Sequence, residues 1–223
     1  YLWATSRHKA LLLSPKRALE QAVTHSEHDQ AQVYSIYARR LQEIGAVDFD
    51  DLLYLTVRLF QEHPSLLEQY QRLFSHIMVD EYQDTNHAQY ILIRMLAEQH
   101  RNLCVVGDDG QSIYGFRLAD ITNILNFQQD YAEAKVIKLE QNYRSTQTIL
   151  RAANAVISEN TSQLEKKLWT HNPKGDPINL CFTPTDRDEA RFVAQEIQFM
   201  AGQHRFNDIA VLYRSKAQSR VLE

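Results

Sequence analysis

Ile77-Met78-Val79-Asp80-Glu81-Tyr82-Gln83-Asp84-Thr85-Asn86 decides how the chain folds: an apolar run, two adjacent carboxylates, then a helix-start signal. Residues 76–79 read as a short strand. Asn86 is placed to cap the helix that follows, and Gln89 three residues on completes a capping box. The same texture recurs to the end of the chain, with strands expected at 103–106, 135–139, 178–182 and 209–213 and amphipathic helices between them. Thr146, for example, precedes the helical spacing of Ile149, Ala153, Val156 and Ile157. Short apolar strands alternating with helices are the signature of a parallel α/β sheet.

Upstream of residue 75 the pattern is helical. Residues 1–47 are polar and helical, with Tyr34, Tyr37, Ala38 and Leu41 forming one apolar stripe until Gly45 breaks it. A second helix is expected over 50–60, and Pro64 opens a third. Residues 170–177, THNPKGDP, are dense in turn formers and read as a loop.

Composition bounds the function classes. The 223 residues, 44% hydrophobic and 23% charged, describe an ordinary globular chain. No apolar run approaches the roughly 20 residues that span a bilayer, and the start YLWATSRHKALLL lacks the order of a signal peptide. A cytoplasmic protein without membrane contact is therefore expected. Cys104 and Cys181 each sit in an apolar run without metal-ligand spacing and read as small buried hydrophobes. A formal charge of −4 gives no global basic footprint for nucleic acid, so any such role must rest on local residues.

Ligands of open parallel sheets bind outside the carboxyl ends of the strands. Here those ends carry Asp80-Glu81, Gly107-Asp108, Asn142-Tyr143-Arg144 and Arg214, so polar groups gather on one rim. Two carboxylates after an apolar strand are how nucleotide hydrolases hold a metal ion and orient an attacking water. Taken alone, the pair also reads as a cap on the next turn. Ile113, Tyr114 and Phe116 alone read as core residues under a loop, Gln111 as a surface-turn amide, and Tyr143-Arg144 as a surface pair.

The longer strings narrow these choices. Residues 80–86, DEYQDTN, resemble the magnesium-binding motif of superfamily 1 DNA helicases of the UvrD/PcrA/Rep type. Residues 107–117, GDDGQSIYGFR, residues 139–146, LEQNYRST, and the closing Tyr213-Arg214 with QSRVLE at 218–223 resemble further motifs in the same order. Asp48-Phe49-Asp50-Asp51-Leu52 is similar to the segment preceding the magnesium motif. The likeness covers residues 34–223.

The resemblance implies an α/β fold of two partial RecA-like parallel-sheet lobes preceded by a helical subdomain. Residues 1–47 would end the helical insertion of the first lobe, 48–131 would be the C-terminal half of that lobe, and 132–223 the N-terminal half of the second. ATP and Mg²⁺ are the implied cofactors. Asp80 would bear on Mg²⁺, Glu81 would polarise the hydrolytic water, and Gln111 would sense the γ-phosphate. Tyr143 would stack on adenine, and Arg144 would reach the γ-phosphate from the second lobe. Tyr114 and Phe116 would be stacking platforms for single-stranded DNA at a duplex junction, supported by Arg117.

Three positions depart from the family pattern. Gly110 stands where Asp is usual, Leu118 where Gly is usual, and Phe116 where Trp is common. A phosphate loop, Gly-x-x-x-x-Gly-Lys-Ser/Thr, is missing: Gly110 and Gly115 have its spacing, but Phe116-Arg117 follow. The phosphate loop is therefore expected before residue 1, and the later second-lobe motifs beyond residue 223. The activity implied is that of an ATP-dependent DNA helicase moving 3′ to 5′ in replication or repair, with the chain alone inactive. Alternatives are the motor of a helicase-nuclease, or a degenerate lobe acting as a binding module.

Overall fold

The computed structural model describes residues 1–160, 164 and 166–223. Its helices in chain order are α1 (Leu2–Ala10), α2 (Pro15–Gln21), α3 (His25–Glu43), α4 (Phe49–Glu62), α5 (Pro64–Leu73) and α6 (His87–Ala97). The short α7 (Thr122–Leu125) and α8 (Phe127–Asp130) follow, then α9 (Gln147–Ile157), α10 (Asp186–Met200) and α11 (Lys216–Leu222). Strands β1 (Ile77–Val79) and β2 (Leu103–Val105) pair in parallel with Ile77 opposite Leu103. The fold is thus mixed and mainly helical, with a small two-stranded parallel sheet.

Local sequence explains the helix boundaries. Thr24 with Glu27, Asp48 with Asp51, and Asn86 with Gln89 form reciprocal capping boxes at the starts of α3, α4 and α6. Each satisfies two backbone donors that the first helical turn leaves orphaned. The expected single helical stretch before Gly45 is broken into α1, α2 and α3. Leu12 turns with a φ of 56°, and Ser14 caps α2 with Pro15 at its first position. The expected stripe of α3 does face inward: Tyr34 is fully buried with Ala18 and Ala31, Ala38 packs on that cluster, and Val33 and Ile36 are exposed.

An ion triad ties α1 to α4. Lys9, with only 1% of its side chain exposed, places Nζ 2.7 Å from Asp48 and 2.8 Å from Asp51. The Tyr37 hydroxyl donates to Asp48 at 3.0 Å. Burial raises the Asp48 pKa, but the Lys9 ammonium, the Asp51 amide and the Tyr37 hydroxyl outweigh it and hold the carboxyl below its usual value. Lys9→Met leaves these acids without their cation and is expected to cost about 3–5 kcal/mol, the range for breaking a buried pair from one side. A folded-state pKa below the unfolded one stabilises the fold above pH ~4, and this contribution is lost as pH falls. Urea midpoints of the two proteins should therefore converge in acid.

Two sequence expectations need correction. Residues 135–139, 178–182 and 209–213 form no strand; among the described residues outside β1 and β2, the one further bridge is the parallel pair Gln141 and Trp169. A strand exists only where a neighbouring backbone completes its ladder. No such neighbour pairs with these runs, and Ile178, Leu180, Phe182 and Leu212 are exposed. Cys104 and Cys181 are likewise exposed, not buried. Cys104 lies in register with exposed Met78 on the open face of the sheet, because only alternate strand residues meet the covering face. No helix among the described residues is long and apolar enough to cross a membrane.

The chain divides into two compact units. The first comprises Tyr1–Asn142 and Ala152–Trp169, the second Tyr143–Arg151 and Thr170–Glu223.

Candidate functional site

In the first unit, the loops after β1 and β2 run side by side. The ladder extends past the strands, with the Val106 amide donating to Val79 at 2.8 Å and the Tyr82 amide to Val106 at 2.9 Å. This continuation brings Asp80-Glu81 beside Gly107-Asp108. Glu81 turns the chain with φ 50° and ψ 41°, a left-handed conformation that non-glycine residues adopt at a cost of about 1–3 kcal/mol. Asp80 braces the turn by accepting the Glu81 amide at 2.9 Å.

Asp80 and Glu81 are exposed and line a cleft of about 290 Å³ with Val79, Asp84, Thr85 and Gln89. Mg²⁺ is commonly held by one or two carboxylates, waters and substrate phosphates, without a full protein cage. The Asp80-Glu81 donor set fits that mode. It does not fit a closed metal centre: among the described residues no group of three or more His, Cys, Asp or Glu could hold one.

Gln83 joins the two loops. It is 1% exposed, donates from Nε2 to Glu81 at 2.8 Å, and accepts the Asp108 amide on Oε1 at 2.9 Å. Gly107 makes this approach possible, since a Cβ there would lie 2.5 Å from the Gln83 oxygen. Ser112 adds a 3.3 Å bond from its hydroxyl to the Gln83 carbonyl.

Asp108 organises the next turn. Its carboxylate accepts the Gly110 amide at 3.0 Å and Gln111 Nε2 at 2.7 Å. Gln111 thus sits one hydrogen bond from the residue that Gln83 holds. Lys166, far along the chain, places Nζ 2.5 Å from Asp108 and also pairs with Asp109, whose side chain is 3% exposed. At Gly110 a Cβ would come 2.9 Å from Ile157, so glycine suits the position where the family usually has Asp.

Tyr114 and Phe116 follow on the same loop, 36% and 63% exposed, with ring centroids 6.0 Å apart. Their exposure argues against the core reading. The Arg117 guanidinium lies 5.2 Å from the Tyr114 ring and 5.5 Å from the Phe116 ring, a doubly cation–π position. Leu118 ends this turn at φ 69°, in the left-handed region that a glycine would adopt without strain.

Tyr143 and Arg144 lie in the second unit, both exposed, just ahead of α9. The loop at 170–175 braces this stretch. Asn172 donates to the carbonyls of Tyr143 and Ser145, each at 3.1 Å, and Gln147 returns a bond to the Asn172 carbonyl at 2.9 Å. Thr148 donates to the Lys174 carbonyl at 2.8 Å. Gly175, at φ 73°, passes so close to Thr146 that a Cβ would sit 2.6 Å from its side chain.

Sequence reading places Asp108 on the polar rim but gives no role to Gln83, Asp109 or Lys166. For Gln83, a polar residue directly after the carboxylate pair is a usable signal. Lys166 offers none, since its partners are 57 and 58 positions away.

Comparison with known proteins identifies the family. Residues 1–132 match the UvrD/REP helicase N-terminal domain model, and residues 137–223 the UvrD-like helicase C-terminal domain model. The chain is 51% identical over 224 aligned residues to ATP-dependent DNA helicase PcrA of Staphylococcus aureus, covering 100% of this chain and 31% of that protein. It is 50% identical to the helicase of the same name from Staphylococcus epidermidis, with the same coverage. The chain therefore spans about a third of the length of these relatives. With family models matching across both of its halves, the chain belongs to the UvrD/Rep family of helicases.

Proposed function

We propose that the full-length protein is an ATP-dependent DNA helicase that moves 3′ to 5′ along single-stranded DNA toward a duplex junction, in cytoplasmic replication or repair. In this reading residues 1–47 end the helical insertion of a first RecA-like lobe, 48–131 complete that lobe, and 132–223 begin the second. The observation that carries it is the Gln83 bridge, which fastens Glu81 to the loop bearing Gln111, Tyr114 and Phe116.

The residues then divide the work. Asp80 would hold Mg²⁺, which when bound would supply positive charge to the phosphates of ATP. Glu81 accepts the proton of the attacking water. Gln111 binds the γ-phosphate through its amide, while Tyr143 stacks on adenine and Arg144 meets the γ-phosphate from the second lobe. Tyr114 and Phe116 stack on bases, each contact worth roughly 1–3 kcal/mol without sequence readout. Loss of the γ-phosphate at Gln111 is passed through Asp108 to that stacking loop, which links hydrolysis to grip on the strand. The ion pair network and cation–π contacts give no support to a degenerate binding lobe, and nothing in the chain favours a helicase-nuclease.

The test is ATPase activity with and without single-stranded DNA. The full-length protein is expected to hydrolyse ATP faster with DNA, and the 223-residue chain alone to be inactive because it contains no phosphate loop. A full-length protein whose ATPase ignores DNA would remove the helicase reading. Turnover by the chain alone would remove the division of the site proposed here.

A further inference from the structure

We propose that Lys166 is a positioning residue that sets the orientation of the Gln111 amide by holding Asp108; the inference rests on the role given to Gln111 above. Asp108 and Asp109 are adjacent carboxylates in one tight turn, and Asp109 is almost wholly buried. Two such charges repel unless a cation stands between them. Lys166 supplies it, bonding Asp108 Oδ1 at 2.5 Å and pairing with Asp109 Oδ1. The Leu164 amide donates to the other oxygen of Asp109 at 2.7 Å, so the segment carrying Lys166 is pinned at two points.

The consequence falls on Asp108 Oδ2. With Oδ1 occupied by Lys166 and the Gly110 amide, Oδ2 is left to accept Gln111 Nε2 at 2.7 Å. An ionised carboxylate can only accept, so the amide must turn its nitrogen toward it. One N–H and the carbonyl oxygen of Gln111 then remain for a phosphate oxygen and a water. Burial raises the Asp108 pKa, but Lys166, Gln111 and Gly110 outweigh it and hold the carboxyl below its usual value. Burial likewise lowers the Lys166 pKa, and its two carboxylate partners more than reverse this. Both groups are therefore charged at neutral pH, and Gln111 keeps a fixed orientation.

The experiment is steady-state ATPase of the full-length protein at saturating single-stranded DNA. Lys166→Met is expected to lower kcat about 10- to 100-fold while the KM for ATP stays within about threefold, the pattern of a misplaced catalytic group. Lys166→Arg should restore most of the rate. Because the lone buried Asp109 could unfold the single variant, Lys166→Met is also made with Asp109→Asn, which removes the stranded charge; the same loss of kcat at a wild-type melting temperature is expected. In an Asp108→Asn background, Lys166→Met should cost nothing further, since Lys166 acts through that residue. Unchanged kcat in the Lys166→Met/Asp109→Asn protein overturns the proposal, as does a loss that multiplies with that of Asp108→Asn. Gln111→Ala is the control for the underlying reading: if it leaves turnover unchanged, both assignments fall, whereas loss there with none at Lys166 overturns the Lys166 proposal alone.

Discussion

Arg144→Ala in the full-length protein is expected to slow ATP turnover about 10³–10⁵-fold, the range for an arginine that meets the transferring phosphoryl group. Nucleotide affinity should change far less, because the guanidinium acts mainly on charge that develops in the transition state. The local structure fixes the backbone that carries this side chain. Asn172 clamps the carbonyls on either side of Arg144, and Gln147 and Thr148 tie the start of α9 to the same loop. Arg144→Lys should recover little, since an ammonium lacks the planar fork that bonds two phosphate oxygens at once. Single-turnover hydrolysis alongside a fluorescent-nucleotide binding titration separates the two effects. A rate within tenfold of wild type would exclude Arg144 from the transition state.

Glu81→Gln is expected to lower turnover about 10²–10⁴-fold while leaving nucleotide binding nearly intact. The substitution is close to isosteric, and the amide oxygen of the new residue can still accept the bond that Gln83 now makes to Glu81 at 2.8 Å. What it loses is the capacity to take a proton. The left-handed turn at residue 81 holds the side chain in the cleft beside Asp80 in either case. The same binding titration and single-turnover assay read the outcome. Wild-type hydrolysis by the variant would remove Glu81 as the base.

What the sequence made legible was local. Asn86 with Gln89 sits at the start of α6, where the capping pattern placed it, and 76–79 and 103–106 contain β1 and β2 within a residue at each end. Ser14-Pro15 carried an unused signal for the break before α2, since a serine cap followed by proline at the first helical position marks a new helix. The strands expected at 178–182 and 209–213 failed for a non-local reason. Their apolar residues report a tendency to be covered, but a strand also needs a neighbouring backbone to pair with, which no short window of sequence specifies.

The site divides in the same way. Asp80, Glu81, Gln111, Tyr114 and Phe116 could be singled out because the short strings that contain them resemble motifs of one family. The bridge through Gln83 to Asp108 and the clamp from Lys166 are contacts across 25 and 58 positions, visible only once the chain is folded. Leu118 lies between these cases. Its departure from glycine was visible in sequence, and its φ of 69° shows where the strain falls.

We propose above all that Asp80, Glu81 and Gln111 act on the same triphosphate as Arg144. A crystal structure of the full-length protein with Mg²⁺ and a non-hydrolysable ATP analogue measures this directly. The expected result is the Gln111 amide and the Arg144 guanidinium each within about 3 Å of γ-phosphate oxygens, with Asp80 on the metal or its waters. An analogue bound with Arg144 turned to another face, or with Asp80 and Gln111 away from the phosphates, would contradict it.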